Sequence, residues 1–404
     1  MRLSIVVTMV LAATLASSPA SAESATSFGA ARQVQVAPGA RALALSPDGA
    51  AAYVIAPGAS TQEPGILQAV DLASGLVTGS VTIVANPNTP VLSQDGTRIF
   101  IPSIEAGGVS VVDARTLKVI NTIALKDRTA SGGNAILSSD GRFLYVPSNR
   151  NAVNMIDTRS LKVLFKAPVT TRFGSCGAMI GLAVSQDNKW LYATCGQSLH
   201  TFNPRIGNPV VLNRPNAPGS NAALYSGRAW PVLATDGRTV LTSGDRSIEI
   251  FKTKTLKQTG QVEFAEPPDW SDLAAGIVLP SGVVVNPATS TGELLFADVN
   301  GNQVRPPLKV SDPLAWVPPV LAMKSEPVIA APSGTSVYVT RPGARPSIDT
   351  VDVTSGARTA RDLVDPQGML TPPVTLGSPA LAGGRLAVLA SSGGASVLVI
   401  LDSR

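Results

Sequence analysis

The stretches LSQDGTRIFIPS (92–103) and LSSDGRFLYVPS (137–148) are nearly identical and begin 45 residues apart. In each, the polar tetrad S-x-D-G separates a short apolar segment from one rich in β-branched and aromatic residues. An Asp side chain can accept hydrogen bonds from the backbone of a tight turn, and Gly adopts positive φ without steric cost. The pattern therefore predicts a β-hairpin whose turn is the tetrad.

The tetrad recurs along the whole chain. Clear copies stand at 46–49, 93–96, 138–141, 185–188 and 234–237, and eroded copies at 280–282, 332–334 and 382–384. Neighbouring copies are separated by 45 to 52 residues, measured at the Gly or Asn that ends each. A period of this size is typical of the blades of a β-propeller.

A third and a fourth strand follow each hairpin in the pattern. The third often ends on Asp before a small turn, as in VSVVDARTLK (109–118) and VNMIDTRSLK (153–162). Four antiparallel strands per unit, with no amphipathic helix, predict an all-β fold with one propeller domain. Counting turns gives eight blades, or seven if one weak late repeat is an insertion. The last unit lacks a fourth strand, and we expect ARQVQVAP (31–38) to complete it and close the ring.

The pattern SPDG…YV…V.VID..TGKV resembles the YVTN-type β-propeller repeat family, which includes surface-layer-like, periplasmic and lactonase-like propellers. The likeness is good for blades two and three, fair for one, four and five, and thin for six to eight. These motifs specify turns and blades and carry no chemistry. The resemblance implies an exported propeller, either as a binding protein or as a lactonase-like enzyme.

The N-terminus predicts export. Arg2 precedes an apolar run over 3–16, and Ala20-Ser21-Ala22 provides the small residues that signal peptidase prefers. We therefore expect a signal peptide over 1–22, a propeller domain over 23–404, and a secreted or cell-envelope location. No later segment has the roughly twenty apolar residues that a membrane span requires.

Composition narrows the function classes. Hydrophobic residues make up 44% and charged residues 15% of the chain, which favours a folded domain over a disordered one. The formal net charge is +5, but the cations are scattered singly along the sequence, so the basic stripe of a nucleic-acid-binding protein is not evident. We expect a monomer.

The connections between blades grow long in the second half of the chain, and long loops on one face of a rigid scaffold are where binding sites tend to lie. Tryptophans, carboxylates and cations that fall in or beside these loops form the predicted ligand site: Arg172, Trp230, Asp269, Trp270, Asp272, Trp316, Lys324 and Glu326. Aromatic faces beside charged groups suit a sugar, a peptide or a small cation. The alternative interpretation is that each Trp anchors its own loop and the acids cap turns.

The remaining reactive residues are few. Cys176 and Cys195 are the only cysteines, and in an exported chain they predict one disulfide. His200 is the only histidine, and we expect it on the third strand of blade four with a satisfied hydrogen bond. No metal site, catalytic set or cofactor is predicted. A quinone cofactor is not expected either, because the blade motif of quinone-dependent propellers ends in a Trp that every copy here lacks.

Two functions from different classes remain. In the first, the chain binds a small molecule, a cell-wall component or a protein through its long between-blade loops. In the second, it is a lactonase- or lyase-like enzyme with carboxylates and arginines around the axis. Such enzymes generally need histidines or metal-binding acids near the axis, so the first interpretation is favoured.

Overall fold

A computed structural model shows an all-β chain. It describes residues 28–103, 107–125, 134–148, 152–168, 179–195, 198–203, 231–234, 237–243, 247–253, 255–263, 276–288, 291–312, 326–363 and 369–402. In these segments the strands form eight sheets, and no helix is present. The chain is thus an eight-bladed propeller, which confirms the count of eight over seven.

The strands of the first half follow one another in groups that each build one blade. The chain begins with β1 (Arg32–Val36). Blade one contains β2 (Ala42–Leu45), β3 (Ala51–Ala56), β4 (Pro64–Asp71) and β5 (Leu76–Ala85); blade two contains β6 (Val91–Leu92), β7 (Arg98–Pro102), β8 (Gly108–Asp113) and β9 (Lys118–Ala124). Blade three contains β10 (Ile136–Leu137), β11 (Phe143–Ser148), β12 (Ala152–Asp157) and β13 (Lys162–Pro168), and blade four contains β14 (Met179–Val184), β15 (Leu191–Cys195) and β16 (Ser198–Phe202).

The second half repeats the arrangement. Blade five contains β17 (Val232–Leu233), β18 (Thr239–Ser243), β19 (Ser247–Lys252) and β20 (Gln258–Glu263); blade six contains β21 (Ile277–Val278), β22 (Val283–Ala288), β23 (Glu293–Asp298) and β24 (Gln303–Lys309). Blade seven contains β25 (Val328–Ala330), β26 (Ser336–Arg341), β27 (Ser347–Asp352) and β28 (Arg358–Asp362). The last strands are β29 (Thr375–Leu376), β30 (Ala380–Ala382), β31 (Arg385–Ser392) and β32 (Ala395–Asp402).

In blades one to seven, strands that are consecutive in sequence are antiparallel neighbours in the sheet. The short first strands of neighbouring blades contact one another, as β2 does with β6 and with β30, so they surround the axis. The fourth strands lie outermost, and β28, for example, is exposed along its whole length.

Blade eight is built from both ends of the chain. Its sheet runs β1, β32, β31, with β29 and β30 both pairing with the innermost edge of β31. β1 pairs antiparallel with β32 over its full length, from Arg32 opposite Ile400 to Val36 opposite Ser396. Arg32 also forms an ion pair with Asp402, with 2.9 Å between Nη2 and Oδ2.

The core consists of layers between adjacent sheets. Eight apolar clusters are present in the described residues, and each joins two neighbouring blades. Their central members are Ile55 with Ile99, Phe100 with Leu144, Tyr145 with Leu182, Tyr192 with Phe251, Leu241 with Val284, Phe296 with Val337, Tyr338 with Val388, and Leu398 with Val54. Because each blade buries its two faces only against its neighbours, the ring stabilises every blade in it.

The turn tetrads have the conformation that the sequence predicts. In the first tetrad the hydroxyl of Ser46 donates to Asp48 Oδ1 at 2.5 Å, and that carboxylate oxygen accepts from the backbone of Ala50 at 3.0 Å. Gly49 then takes a φ of +67°. The same Ser-to-Asp bond recurs in the tetrads that begin at 93, 138 and 185.

A repeated hydrogen bond joins neighbouring blades. The Tyr53 hydroxyl of blade one donates to the carbonyl oxygen of Ala114 in blade two, and Arg98 Nη1 of blade two donates to that of Thr158 in blade three at 2.6 Å. Each acceptor is the residue directly after the Asp that ends a third strand. We call these bonds blade clamps, because each joins one blade to the next.

In the described part of the chain, no helix is long and apolar enough to cross a membrane.

Candidate functional site

The two faces of the ring differ, and the difference limits where a ligand can bind. One face carries the tetrads and the small turns after the third strands, and we call it the turn face. The other carries the connections between blades and the turns between second and third strands, and we call it the loop face.

Neighbouring tetrads touch one another on the turn face. A Cβ added to Gly96 would lie 3.1 Å from Cδ of Pro47 in the preceding tetrad. Ser139 donates its backbone N–H to Asn188 Oδ1 of the next tetrad at 2.6 Å. Similar contacts join Gln94 to Gly141 and Pro280 to Gly334. These contacts form a collar of tetrads on the turn face.

The carboxylates of the turn face are already bonded within their own turns. Hydrogen bonds from Ser46 and the Ala50 backbone hold the pKa of Asp48 below its usual value, and bonds from the backbone and hydroxyl of Ser74 do the same for Asp71. The pKa values of equivalent turn carboxylates are lowered for the same reason: Asp95, Asp113, Asp140, Asp157, Asp187, Asp298 and Asp352. These groups stay ionised near neutral pH and serve as turn acceptors.

A groove of about 890 Å³ lies on the turn face between blades two and three. Its walls carry Asp95, Asp140, Arg98 and Arg142, together with serine and threonine side chains. Arg98 is already bound in a blade clamp, and the Arg142 guanidinium lies over the Phe143 ring, 5.0 Å from its centroid. Sequence reasoning missed this groove because its walls belong to two repeats.

The axis is surrounded by aliphatic side chains. The described first strands read ALAL, VL, IL, VL, IV, VIA and ALA in blades one to three and five to eight, and most of these residues are partly exposed. None of these strands carries a titratable side chain. An apolar axis suits the packing of a ligand's apolar part better than proton transfer.

Two charged residues stand where innermost strands begin on the loop face. Arg41 and Glu326 lie eight residues before the Gly that ends the tetrads of blades one and seven. Arg41 Nη2 donates to Asn86 Oδ1 at 2.8 Å, and burial lowers the pKa of its guanidinium. Glu326 is half-buried, and its backbone N–H donates to Ser378 Oγ at 3.1 Å.

Glu326 is the one predicted ligand-site residue that the described segments contain. The others lie outside those segments: Arg172, Trp230, Asp269, Trp270, Asp272, Trp316 and Lys324. The described strands do place the ends of their loops. Loop 313–325 starts after Asp312, whose Oδ2 lies 4.0 Å from where a Cβ on Gly343 would stand, and Gly343 pairs with Val374 of blade eight. Blades six, seven and eight thus meet near Asp312 and Gly343.

Of the two cysteines in the predicted disulfide, only Cys195 lies in the described residues. Cys195 ends β15, the second strand of blade four. Cys176 lies outside the described residues, so the bridge stays a prediction.

A polar side chain recurs inside the blades at one position of the third strand. In blade one, Gln68 accepts a hydrogen bond from the backbone of Ala37 at 2.6 Å, and in blade two Ser110 accepts from that of Val84 at 3.2 Å. Both donors lie at the end of the preceding blade's outermost strand, or just after it. The equivalent residues of the next blades are Asn154, His200, Glu249, Leu295, Asp349 and Val399.

His200 is the member of this set that differs from the prediction. It lies on β16, the third strand of blade four, as expected. It is 0% exposed, but neither ring nitrogen has a hydrogen-bond partner, so the expectation of a satisfied bond was wrong. Burial lowers the pKa of this imidazole to about 4. The ring is therefore neutral at physiological pH.

Asp349 is a fully buried carboxylate in blade seven. Its Oδ2 lies 2.9 Å from Arg358 Nε, and its Oδ1 accepts from the Ser347 hydroxyl at 2.6 Å. Arg341 Nε stands 4.0 Å from the same Oδ2. A buried charge needs such partners, and these contacts give it a structural role.

Metal binding and catalysis need convergent groups. Within the described segments, no three His, Cys, Asp or Glu side chains come together in a way that could hold a metal ion.

Known proteins resemble the chain in fold. No family model and no curated protein sequence matches it, so the YVTN-type resemblance stays a prediction. Among solved structures, BamB from Moraxella catarrhalis superposes with a TM-score of 0.62 at 12% identity, over 93% of this chain and 100% of that one. Hydrazine synthase of Kuenenia stuttgartiensis gives 0.54 at 16% identity, over 82% and 98%.

A third structure is the dihydro-heme d1 dehydrogenase NirN in complex with DHE. It superposes with a TM-score of 0.55 at 15% identity, over 79% of this chain and 66% of that one. The three proteins have different names and roles, and at these identities the similarity shows the propeller fold alone.

Proposed function

We propose that this protein is an exported binding propeller that holds a small molecule, a cell-wall component or a protein partner on its loop face. The observation that carries the proposal is the contrast between the faces. The turn face carries interlocking tetrads, and even in its groove Asp95 and Asp140 serve their own turns, whereas the long connections of blades four to eight start and end on the loop face.

The ligand site would use the loop residues that are predicted from the sequence. Trp270 and Trp316 offer flat apolar faces, and Asp269, Asp272 and Glu326 offer hydrogen-bond acceptors. This combination suits a ligand with an apolar face and several donors, such as a sugar of the cell wall or a peptide segment. Arg172 and Lys324 would bind acidic groups of the ligand, and Trp230 would add a further apolar face to the rim.

The enzyme alternative has less support among the described residues. General acid–base chemistry needs a group that can exchange protons with the substrate. The only histidine is buried with a pKa of about 4, and the first strands described around the axis are aliphatic. A lactonase- or lyase-like reaction would have to use the long loops.

Export is proposed from the N-terminal sequence, with cleavage after Ala22. The BamB structure is one propeller of the same architecture, but the fold does not itself set the compartment. Detection of a mature N-terminus at Glu23 in the envelope or culture fluid tests this part of the proposal, and recovery of the intact chain in the cytoplasm would contradict it.

The binding proposal is tested with protein lacking residues 1–22. A thermal-shift screen against wall sugars, peptides, lactones, quinones and divalent metals finds a ligand class, because a ligand that binds only the folded state raises the melting temperature. Trp270→Phe and Trp316→Phe should weaken binding of a hit. The matched control is Trp190→Phe, which lies beside a tetrad on the turn face and should leave binding unchanged.

Catalysis is distinguished by amide variants of the loop acids. If Asp269→Asn, Asp272→Asn or Glu326→Gln abolishes turnover of a lactone while its binding persists, the protein is an enzyme. A graded loss of affinity in the same variants, with no turnover in the parent protein, supports a binding module.

A further inference from the structure

Exposed aliphatic side chains recur on the outermost strands of three consecutive blades. They stand at the start of each strand: Leu76 and Val77 on β5, Val119 and Ile120 on β9, and Val163 and Leu164 on β13. Their exposed fractions run from 38% for Val163 to 65% for Leu76. Single exposed aliphatic residues are ordinary, but Val77, Val119 and Val163 share one register position, and each has another exposed aliphatic residue next to it. We call these six residues the outer arc.

Two members of the arc are bulge residues. Val119 pairs with Val112 and Asn121 pairs with Val111, so Ile120 between them is an extra residue without a partner on β8. Leu164 occupies the same bulge in blade three. A bulge disrupts the hydrogen-bonding edge of an outer strand and twists it. The arc is therefore poorly suited to the addition of a strand from another protein.

The arc is continuous between blades one and two. β5 contacts both β8 and β9 of the next blade. At the level of the exposed residues, a Cβ added to Gly79 would lie 2.7 Å from Leu117 Cδ1. The outermost strands of blades one and two are thus adjacent near the exposed residues.

Cations flank the arc in blades two and three. Arg115 and Lys118 border it in blade two, and Arg159 and Lys162 border it in blade three; all four are exposed. Each pair is separated by 44 residues from its counterpart, so cations that are scattered along the sequence stand at equivalent places on adjacent blades.

The neighbouring carboxylates do not offset these cations fully. Asp113 Oδ1 accepts from the Thr116 backbone and hydroxyl, each at 2.7 Å, and Asp157 makes the equivalent bonds with Ser160. Each turn region thus holds one bonded carboxylate and two exposed cations. The groove beside Arg159 adds Asp95 and Asp140 but also Arg98 and Arg142, so the net charge beside the exposed aliphatic groups stays positive.

We propose that the outer arc docks on an anionic lipid surface. Aliphatic side chains ringed by Lys and Arg match the boundary between acyl chains and acidic headgroups. A second copy of the chain fits less well, because it would bring like charges together. Strand addition is disfavoured by the bulges, and none of the six arc residues lines the groove described between blades two and three. This surface is separate from the proposed ligand site on the loop face.

The test is co-sedimentation of protein lacking residues 1–22 with lipid vesicles. That segment is removed because its own apolar run would bind lipid, and the propeller strands begin only at Arg32. Vesicles of phosphatidylcholine containing phosphatidylglycerol should retain the protein at low ionic strength, and vesicles of phosphatidylcholine alone should not. Binding should weaken in about 0.5 M salt, where charges are screened beyond a few ångströms.

Two double variants separate the parts of the surface. Ile120→Ser with Leu164→Ser removes the bulge aliphatics, and Lys118→Glu with Lys162→Glu reverses two charges. We expect each to lower the apparent lipid affinity about tenfold or more, since each basic residue near an anionic surface contributes measurably. A cooperative melt near that of the parent protein shows that each variant is folded, as their exposed positions lead us to expect.

The ring supplies matched controls. Val304 is the exposed bulge residue of blade six, on the opposite side of the ring from blade two, and Lys257 of blade five stands where Lys118 stands in blade two. Val304→Ser and Lys257→Glu should leave lipid binding unchanged. Equal binding to both vesicle types, no binding by the folded parent, or equal losses in variants and controls would overturn the proposal. Absence of lipid binding would favour an acidic protein partner.

Discussion

The hydroxyl of Tyr192 donates a hydrogen bond of 3.1 Å to the carbonyl oxygen of Thr253, across the boundary between blades four and five. Tyr192 is 0% exposed, and burial raises the pKa of its phenol to about 12, so the hydroxyl remains a donor at any ordinary pH. The Tyr53 hydroxyl makes the equivalent bond to Ala114 at 3.4 Å in blade one. This clamp is formed by residues 61 positions apart in sequence.

Replacing Tyr192 with Phe should destabilise the ring. The substitution keeps the aromatic packing but leaves the Thr253 carbonyl without its donor, and a buried unsatisfied group costs about 1–3 kcal/mol. The free energy of unfolding from urea titration measures the loss. Tyr53→Phe is the matched variant, and its longer, partly exposed bond should cost less. Equal losses would show that packing rather than the bond dominates.

The collar on the turn face predicts a difference between two glycine variants. Gly49 and Gly237 both have positive φ, +67° and +62°. A Cβ on Gly49 would stand 2.8 Å from the carbonyl carbon of Ala382 in blade eight, whereas a Cβ on Gly237 would meet nothing within 4 Å. Gly237→Ala should cost about 1 kcal/mol through backbone strain alone. Gly49→Ala should lower the free energy of unfolding clearly further, and similar losses would show that the collar yields readily.

His200 predicts how stability depends on pH. The folded-state pKa of about 4 lies below the ordinary value of 6.5, so the unfolded chain binds a proton that the folded chain refuses. Stability is fully present above pH 6.5 and is lost as pH falls toward 4. Between about pH 7 and pH 5 the expected loss is about 2 kcal/mol, because one pKa unit corresponds to about 1.4 kcal/mol.

The matched variant is His200→Leu, because Leu295 fills the equivalent position in blade six. The variant removes two unpartnered buried nitrogens, so it should be at least as stable as the parent near pH 7. Its free energy of unfolding should be flat between about pH 7 and pH 5, since the chain has no other histidine. A persisting slope would show that another group titrates in this range.

Loss of the buried carboxylate of Asp349 in blade seven should cost more stability than loss of the partly exposed carboxylate of Asp352 at the end of the same strand. Asp349→Asn removes the buried counter-charge of Arg358 and a charged hydrogen-bond acceptor; because the Arg358 guanidinium is itself partly exposed, the cost should be about 1–3 kcal/mol. In Asp352→Asn the amide oxygen can still accept from the Ser355 backbone, so the cost should stay under about 1 kcal/mol. Chemical denaturation of both variants measures the contrast, and equal costs would contradict the ion-pair role.

The fold was readable from the sequence because its turns are local. The conformation of a tetrad depends on four residues, so Ser93, Asp95 and Gly96 could be interpreted without knowledge of the rest of the chain. Blades six to eight were harder, since turns such as Gly282 and Gly383 keep the positive φ but lack the Ser and Asp.

The candidate surfaces were less readable, because each joins residues from different repeats. An alignment of the repeats would have revealed the outer arc, because Lys118 and Lys162 both stand at the start of the fourth strand of their blades. The missing partner of His200 could not be predicted. The alternation of side chains along a strand determines which face a residue occupies, but it does not determine which residues of the next blade that side chain contacts.

The pairing of β1 with β32 also determines when the propeller ring can close. As the chain is synthesised, Arg32 is available about 370 residues before Ile400, its partner in the last sheet. Until then the first and last blades each expose an apolar face, and the early blades can form only an incomplete ring. Ring closure is therefore the final event of biogenesis. A chain truncated before Ala395 would lack β32, the strand with which β1 must pair.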